Sequence, residues 1–332
     1  MKTYAFLLSG EHDTLPKSEA LALLSIYSSR FDELYLLDRC LIVQADHLDI
    51  VSLGSRLAMT HSVIEVLAIC DPGIESLAKA AREIEIPIER YRVRAKRLHQ
   101  TVLLGEEVER VIGRELLKRG FKADLENPKL DLKAILTEER FILGIEIARP
   151  DRGAFEARRP HLKPYFHPGV LMPRMARALV NISQARYGDW ILDPFSGTAG
   201  ILVEACLVGI KGIGIDVQKM LIKGAKTNLD GLNCSLILGD AKRLPIASSS
   251  IDSAVLDIPY GKSAIIEAES KEALLNACIA ELFRVIKPGR RIVIVADQSI
   301  EFQAETTGFR IIERHEDRVH RSLTRHIIVC YR

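Results

Sequence analysis

Asp193-Pro194-Phe195-Ser196-Gly197-Thr198-Ala199-Gly200 is the stretch on which the fold turns. A short apolar strand, Trp190–Asp193, runs into a glycine turn, and a helix begins near Ala199. Glycine lets a ligand approach the backbone, and a helix start presents unpaired N–H groups. Working outward, strands are expected at Gly212–Asp216, Leu236–Leu238, Ser253–Asp257, Arg291–Ala296, Arg310–Arg314 and Ile327–Tyr331, and helical stretches separate the first five. Alternating β and α of this kind builds a parallel sheet with helices on both faces. Asp193, Asp216, Asp240 and Asp257 each close one of four consecutive strands, which gathers four carboxylates at the carboxyl edge, where open α/β sheets bind ligands. A solvated cap would account for one of them but not for all four.

Asp216 lies nineteen residues after Gly197, where a carboxylate suits the two hydroxyls of a ribose. Val217, Ala241 and the loop residues Pro194, Ser196, Gly197, Thr198, Ala199 and Gly200 complete the expected cofactor site. A dinucleotide fingerprint fails, because Gly212-Ile213-Gly214 lacks the third glycine and lies inside a strand. Gly261-Lys262-Ser263 imitates the tail of a phosphate-binding loop, but Leu256 stands where its first glycine belongs. S-adenosylmethionine, a nucleoside with no phosphate, is the remaining candidate. No metal is expected.

After the fourth strand, Asp257-Ile258-Pro259-Tyr260-Gly261 resembles the Asp/Asn-Pro-Pro-Tyr/Phe motif of amino-methyltransferases, with Ile258 in place of the commoner proline. The chemistry fits those residue types. The lone pair of a base's exocyclic amine is delocalised into the ring. A carboxylate (Asp257) and a main-chain carbonyl (Ile258) that accept its two N–H bonds free that pair for attack. Pro259 would fix the turn, and Tyr260 would offer a stacking face, worth roughly 1–3 kcal/mol per base. In the families it resembles, Asp at the first position goes with guanine N2 more than with adenine N6.

The chain of 332 residues carries 46 Lys+Arg and 44 Asp+Glu, with 48% apolar and 27% charged residues. That composition is globular and excludes a wholly disordered or tail-driven nucleic-acid binder. Ile201–Ile215, the most apolar stretch, contains Glu204 and Lys211 and is too short to span a bilayer. The opening residues, MKTYAFLLSGEHD, read as a first strand and not as a leader. None of the six cysteines forms a Cys-x-x-Cys pair, so free thiols in a cytoplasmic protein are expected.

The first half is expected to hold helices at 47–58, 74–84 and 106–119, a hairpin over 33–46, a strand at Ile88–Ala95, and two more at Leu130–Leu136 and Phe141–Ile147. In Arg90-Tyr91-Arg92-Val93-Arg94-Ala95-Lys96-Arg97 the cations at 92, 94 and 96 share one strand face, which repels itself unless an anion lies opposite. Residues 149–177 hold five of the thirteen prolines and seven Arg/Lys against two acids, and read as a semi-rigid basic linker. Arg92, Arg94, Lys96, Arg97, Arg158, Arg159, Lys163, Arg321 and Arg325 are the candidate RNA contacts.

The whole layout resembles the THUMP-domain tRNA guanosine N2-methyltransferases, most closely the archaeal and eukaryotic enzymes acting on guanosine 10. The resemblance rests on Asn127-Pro128-Lys129-Leu130-Asp131-Leu132, on the run from Arg158 to Gly169, on the two catalytic motifs, and on His320-Arg321-Ser322-Leu323-Thr324-Arg325. It implies a Rossmann-like α/β methyltransferase domain preceded by an α+β ferredoxin-like plus THUMP region. The expected division is 1–46 ferredoxin-like, 47–148 THUMP, 149–170 linker and 171–332 methyltransferase. It implies a tRNA partner gripped at its acceptor end, closure of the cofactor site by the helix after Pro168, and, in some family members, a small zinc-binding activator protein. The expected activity is mono- and dimethylation of guanosine N2 in tRNA. The alternatives are another tRNA or rRNA position, a small-amine methyltransferase, or a non-catalytic RNA-binding protein.

Overall fold

The apolar runs of the first half pair into a single sheet. The computed structural model describes residues 1–99, 103–259, 271–321 and 323–332. In chain order, the first unit holds β1 (Lys2–Leu8), α1 (Leu15–Tyr27), β2 (Arg30–Leu37), β3 (Cys40–Asp46), α2 (Ile50–Arg56) and β4 (Thr60–Cys70). It continues with α3 (Ile74–Glu83), β5 (Arg90–Arg97), α4 (Gly105–Lys118), β6 (Lys122–Ala123), β7 (Leu130–Leu136) and β8 (Phe141–Ala148). The strands form one eight-stranded sheet in the order β2-β3-β1-β4-β8-β7-β5-β6.

The expected hairpin over 33–46 is β2 and β3, turning at Asp38 with a positive φ of 52°. The eleven-residue β4 is not expected from the sequence, yet it is the strand that joins the two halves of the sheet. It pairs with β1 on one side and β8 on the other. A central strand is nearly continuously apolar, so Val63 to Ile69 offers no period-two signal to separate strand from helix. The 46/47 boundary expected between two domains therefore falls within one sheet, and these residues form one compact unit together with those up to Pro150. α4 buries Val108, Ile112 and Leu116 at helical spacing, against Tyr91 and Val93 of β5 and Phe121.

The second unit comprises Arg56–Ala58 and Asp151–Arg332. It contains α5 (Arg152–Glu156), a 3₁₀ turn (Pro160–Leu162), α6 (Pro173–Ile182), β9 (Trp190–Asp193), α7 (Gly200–Cys206) and β10 (Lys211–Asp216). Next come α8 (Lys219–Asn228), β11 (Cys234–Leu238), β12 (Ser253–Asp257), α9 (Lys271–Val285), β13 (Arg291–Ala296), α10 (Glu301–Thr307), β14 (Arg310–His320) and β15 (Leu323–Tyr331). Its seven strands lie in the order β11-β10-β9-β12-β13-β15-β14. The first five run parallel, and β15 pairs antiparallel with β13 and β14. Chain order reverses between β9 and β12, which opens a crevice at their carboxyl ends. Leu192, Ile215, Leu256 and Ile294, all fully buried, form the core beneath that edge. Cutting any of them to alanine costs about 2–5 kcal/mol.

The basic segment read as a linker packs onto this second unit. Arg158 donates from Nε to Glu204 Oε1 at 2.7 Å, and Arg177 Nη2 lies 2.9 Å from Glu204 Oε2. Asn228 clamps the segment: its Oδ1 accepts from Tyr165 N at 3.0 Å, and its Nδ2 donates to Tyr165 O at 2.9 Å and Thr198 O at 3.0 Å. The segment is thus docked against the second unit from Arg158 to Tyr165. The β14–β15 hairpin is longer than the sequence suggests, because its distal half passes the end of β13 and has no second neighbour to give it an apolar pattern. Among the described residues, no helix is long and apolar enough to cross a membrane. Cys40, Cys278 and Cys330 are buried, and Cys70, Cys206 and Cys234 partly so, all as free thiols.

Candidate active site

The loop after β9 is shaped by Asp216 at the end of β10. Asp216 Oδ2 accepts from Gly197 N at 3.0 Å and Oδ1 from Gln218 N at 2.8 Å, so one carboxylate ties two strand ends together. Ser196 N donates to Ile215 O at 2.9 Å and Ala199 N to Ser196 O at 2.6 Å. Gly197 and Ala199 have positive φ values of 49° and 64°, conformations glycine tolerates and alanine adopts only under constraint. Gly200 opens α7, where an added Cβ would sit 2.9 Å from Val170 Cγ1, so the absent side chain admits the 169–171 segment.

These parts enclose a cavity of about 510 Å³. Its floor is the expected loop with Asp193, Asp216, Asp240, Ala241 and Asp257, and Ile258 and Pro259 line its far side. Asp240 lies two residues beyond β11, not at its end as expected, and its Oδ1 accepts from Lys242 N at 2.9 Å. The 167–171 segment forms the facing wall, with Gln218, Leu221 and Leu274 completing the lining. Sequence reasoning missed these last three, because a side chain that only closes a wall has no motif of its own. Tyr260 lies outside the described residues. Ile258 donates its N–H to Val295 O at 2.9 Å, which fixes the peptide that follows Asp257.

Electrostatics set this cavity apart from a structural void. Asp193 is buried and accepts from Phe195 N at 3.1 Å, but burial and the charges of Asp257 and Asp216 push its carboxyl well above the usual range. Burial likewise raises Asp257 to about 7, opposed by Arg325 and reinforced by Asp297 and Asp317. Asp257 Oδ1 and Ser196 Oγ are buried, and among the described residues neither has a hydrogen-bond partner. An orphaned buried acceptor costs about 1–3 kcal/mol unless a ligand supplies its donor. Mutually repelling carboxylates around a nucleoside-sized cavity suit a cation. S-adenosylmethionine, with a sulfonium, an ammonium and a ribose diol, suits these acceptors.

The candidate RNA contacts are more dispersed. On β5, Tyr91 and Val93 are buried while Arg94 and Lys96 are exposed, so the expected alternation holds. The opposing anions are internal, however. Arg92 is bonded to Asp131, its partner across β7, and Arg94 Nη1 lies 3.3 Å from Glu109. Arg97 is exposed. Arg159 is paired with Glu156, and Arg158 is committed to Glu204. Lys163 is half-buried, and that burial lowers its pKa. Arg321 is exposed at the β14–β15 turn, whereas Arg325 Nη1 lies 3.3 Å from Asp317 Oδ2 with its side chain 12% exposed.

Fold and site together define a Rossmann-like S-adenosylmethionine-dependent methyltransferase. Residues 160–327 match the family model described as RMKL-like, methyltransferase domain. The chain is 33% identical over 335 residues to the tRNA (guanine(10)-N2)-dimethyltransferase of Methanothermobacter thermautotrophicus, covering 98% of both chains. It is 29% identical to the enzyme of that name from Methanocaldococcus jannaschii, again over 98% of each. Among solved structures, TrmN from Thermus thermophilus superposes with a TM-score of 0.55 at 20% identity, covering 99% of both chains, and shares the fold. The chain belongs to the archaeal tRNA guanine-N2-methyltransferase family.

Proposed function

We propose that this enzyme methylates N2 of guanosine 10 in tRNA, once and then a second time, in the cytoplasm. The observation that carries the reading is Asp257 at the end of β12, a half-buried residue that lines the cofactor cavity and whose buried Oδ1 has no internal donor among the described residues. S-adenosylmethionine, when bound, supplies the methyl group and the sulfonium leaving group. Asp257 accepts one N–H of the guanine 2-amino group, and the Ile258 carbonyl accepts the other. With both N–H bonds committed, the nitrogen lone pair turns out of conjugation and toward the cofactor. Alignment of this kind is the main source of rate in a bimolecular transfer. A carboxyl poised near neutrality then takes the proton that the methylated amine sheds. The base must leave its stack to reach Asp257, at a cost of a few kcal/mol.

The near full-length similarity to enzymes named for guanine 10 supports tRNA as the partner. The test uses methyl-labelled S-adenosylmethionine and an unmodified tRNA transcript, followed by digestion to nucleosides and mass mapping. N2-methylguanosine and N2,N2-dimethylguanosine at position 10 are expected. A second arm adds a small zinc-binding activator protein. Label at another position moves the target, and no label in either arm sinks the reading.

A further inference from the structure

The sheet register sets on the Asp257 face a charged group that the two catalytic motifs do not include. Asp257 pairs with Val295 on β13, and Val295 pairs with Ile327 on β15. Directly paired residues share a face, and so do residues two apart on a strand. Arg325, two residues from Ile327, therefore lies on the same sheet face as Asp257. β13 ends at Ala296, opposite His326, and β15 runs antiparallel to it, so Arg325 lies just past the carboxyl edge, on the side of the cavity. Asp317 pairs with Arg325 across the hairpin, and the ion pair between them is mostly buried, with side chains 20% and 12% exposed. A guanidinium held that way is committed to the sheet edge and poorly placed to reach an RNA phosphate in solvent.

We propose that Arg325 is a positioning residue for methyl transfer: clamped by Asp317, it holds Asp257 in the ionised form that accepts the guanine amine. The inference rests on the proposed function. It also replaces the phosphate contact expected of Arg325 from the sequence. Among the described residues, Asp297 at the end of β13 and Asp317 of β14 oppose ionisation of Asp257, Arg325 of β15 favours it, Asp257 in turn acts on Asp193 of β9, and Asp216, Asp240 and Lys242 line the same cavity. Burial alone favours the neutral acid, which can no longer accept both the amine's N–H and its proton.

The experiment measures single-turnover methylation against pH for the wild type, Arg325→Gln, Arg325→Lys and Asp297→Asn. Arg325→Gln is expected to move the acid limb up by about one pH unit, so activity on that limb falls up to about tenfold and recovers at higher pH. Arg325→Lys keeps the charge and the limb, and Asp297→Asn moves the limb down. A uniform loss at every pH with an unmoved limb overturns the proposal. Difference infrared titration of the Asp257 carboxyl, referenced to Asp257→Asn, reads the same shift without RNA. If the wild type methylates no guanine, the proposed function fails while this titration still decides the role of Arg325: a raised midpoint in Arg325→Gln supports it, and an unmoved one overturns it.

Discussion

Gly224→Ala sets two physical effects against each other, and their sum has a sign that the structure fixes. Gly224 lies within α8. On propensity alone, alanine there stabilises the helix by up to about 1 kcal/mol. Yet the new Cβ would sit 2.1 Å from Tyr165 Cδ1 and 2.3 Å from Cε1 and Cγ. Normal contact begins near 3.5 Å, so the ring must retreat by roughly 1–1.5 Å. It has little freedom to do so, because Asn228 holds both polar atoms of the Tyr165 backbone and reaches on to Thr198 in the cofactor loop. Overpacking of this kind costs about 1–3 kcal/mol, which outweighs the propensity gain at all but its low end. The displaced segment leads directly into the cavity wall at 167–171. Gly224→Ala is therefore expected to lower the denaturation midpoint and to weaken S-adenosylhomocysteine binding in calorimetry by about 1–2 kcal/mol, roughly five- to thirtyfold. Tyr165→Ala should harm the wild type but relieve Gly224→Ala, the coupling expected of side chains in direct contact. A Gly224→Ala protein that is more stable than wild type and binds normally would refute the docking of this segment.

Other outcomes follow from the same geometry. Glu204→Gln leaves Arg158 and Arg177 facing a neutral amide in a buried site, and unfolding free energy should fall by about 3–5 kcal/mol in a denaturant titration. Burial and neighbouring carboxylates raise Asp193 and Asp257, and a bound cation favours their ionised forms. The affinity of cationic S-adenosylmethionine should therefore rise with pH around neutrality, while that of uncharged-sulfur S-adenosylhomocysteine rises less; equal pH slopes in calorimetry would contradict this. Lys96→Ala with Arg97→Ala should weaken tRNA binding and reduce its salt slope by up to about two, whereas Arg92→Ala should chiefly destabilise the fold through Asp131. An unchanged slope in filter binding would place the RNA surface elsewhere.

Much of the cofactor half was legible because its chemistry is local. The β9 strand and the Gly197 turn are written in consecutive residues, Asp216 follows at the end of the next strand, and a parallel sheet needs only the β/α alternation to be read. What was not legible depends on distant pairing. β4 looks like any apolar run until β1 and β8 flank it. The 149–170 stretch counts as basic and proline-rich, but Glu204 and Asn228, which turn it from a spacer into a wall, lie more than forty residues on. Arg92 reads as a free cation until the register sets Asp131 beside it. Arg325 reads as an RNA contact until the hairpin register sets Asp317 opposite it and the sheet puts it on the face of Asp257. Asp257 itself was legible by motif, whereas its burial and its unpartnered oxygen were not.

The role proposed for Asp257 is to act on the 2-amino group of one guanine. Two tRNA transcripts, identical but for guanosine or inosine at position 10, test it most directly, since inosine lacks only that amine. Labelled methyl is predicted to enter the guanosine transcript and not the inosine one, and Asp257→Asn should abolish incorporation while cofactor and tRNA still bind. Equal labelling of both transcripts would contradict the account.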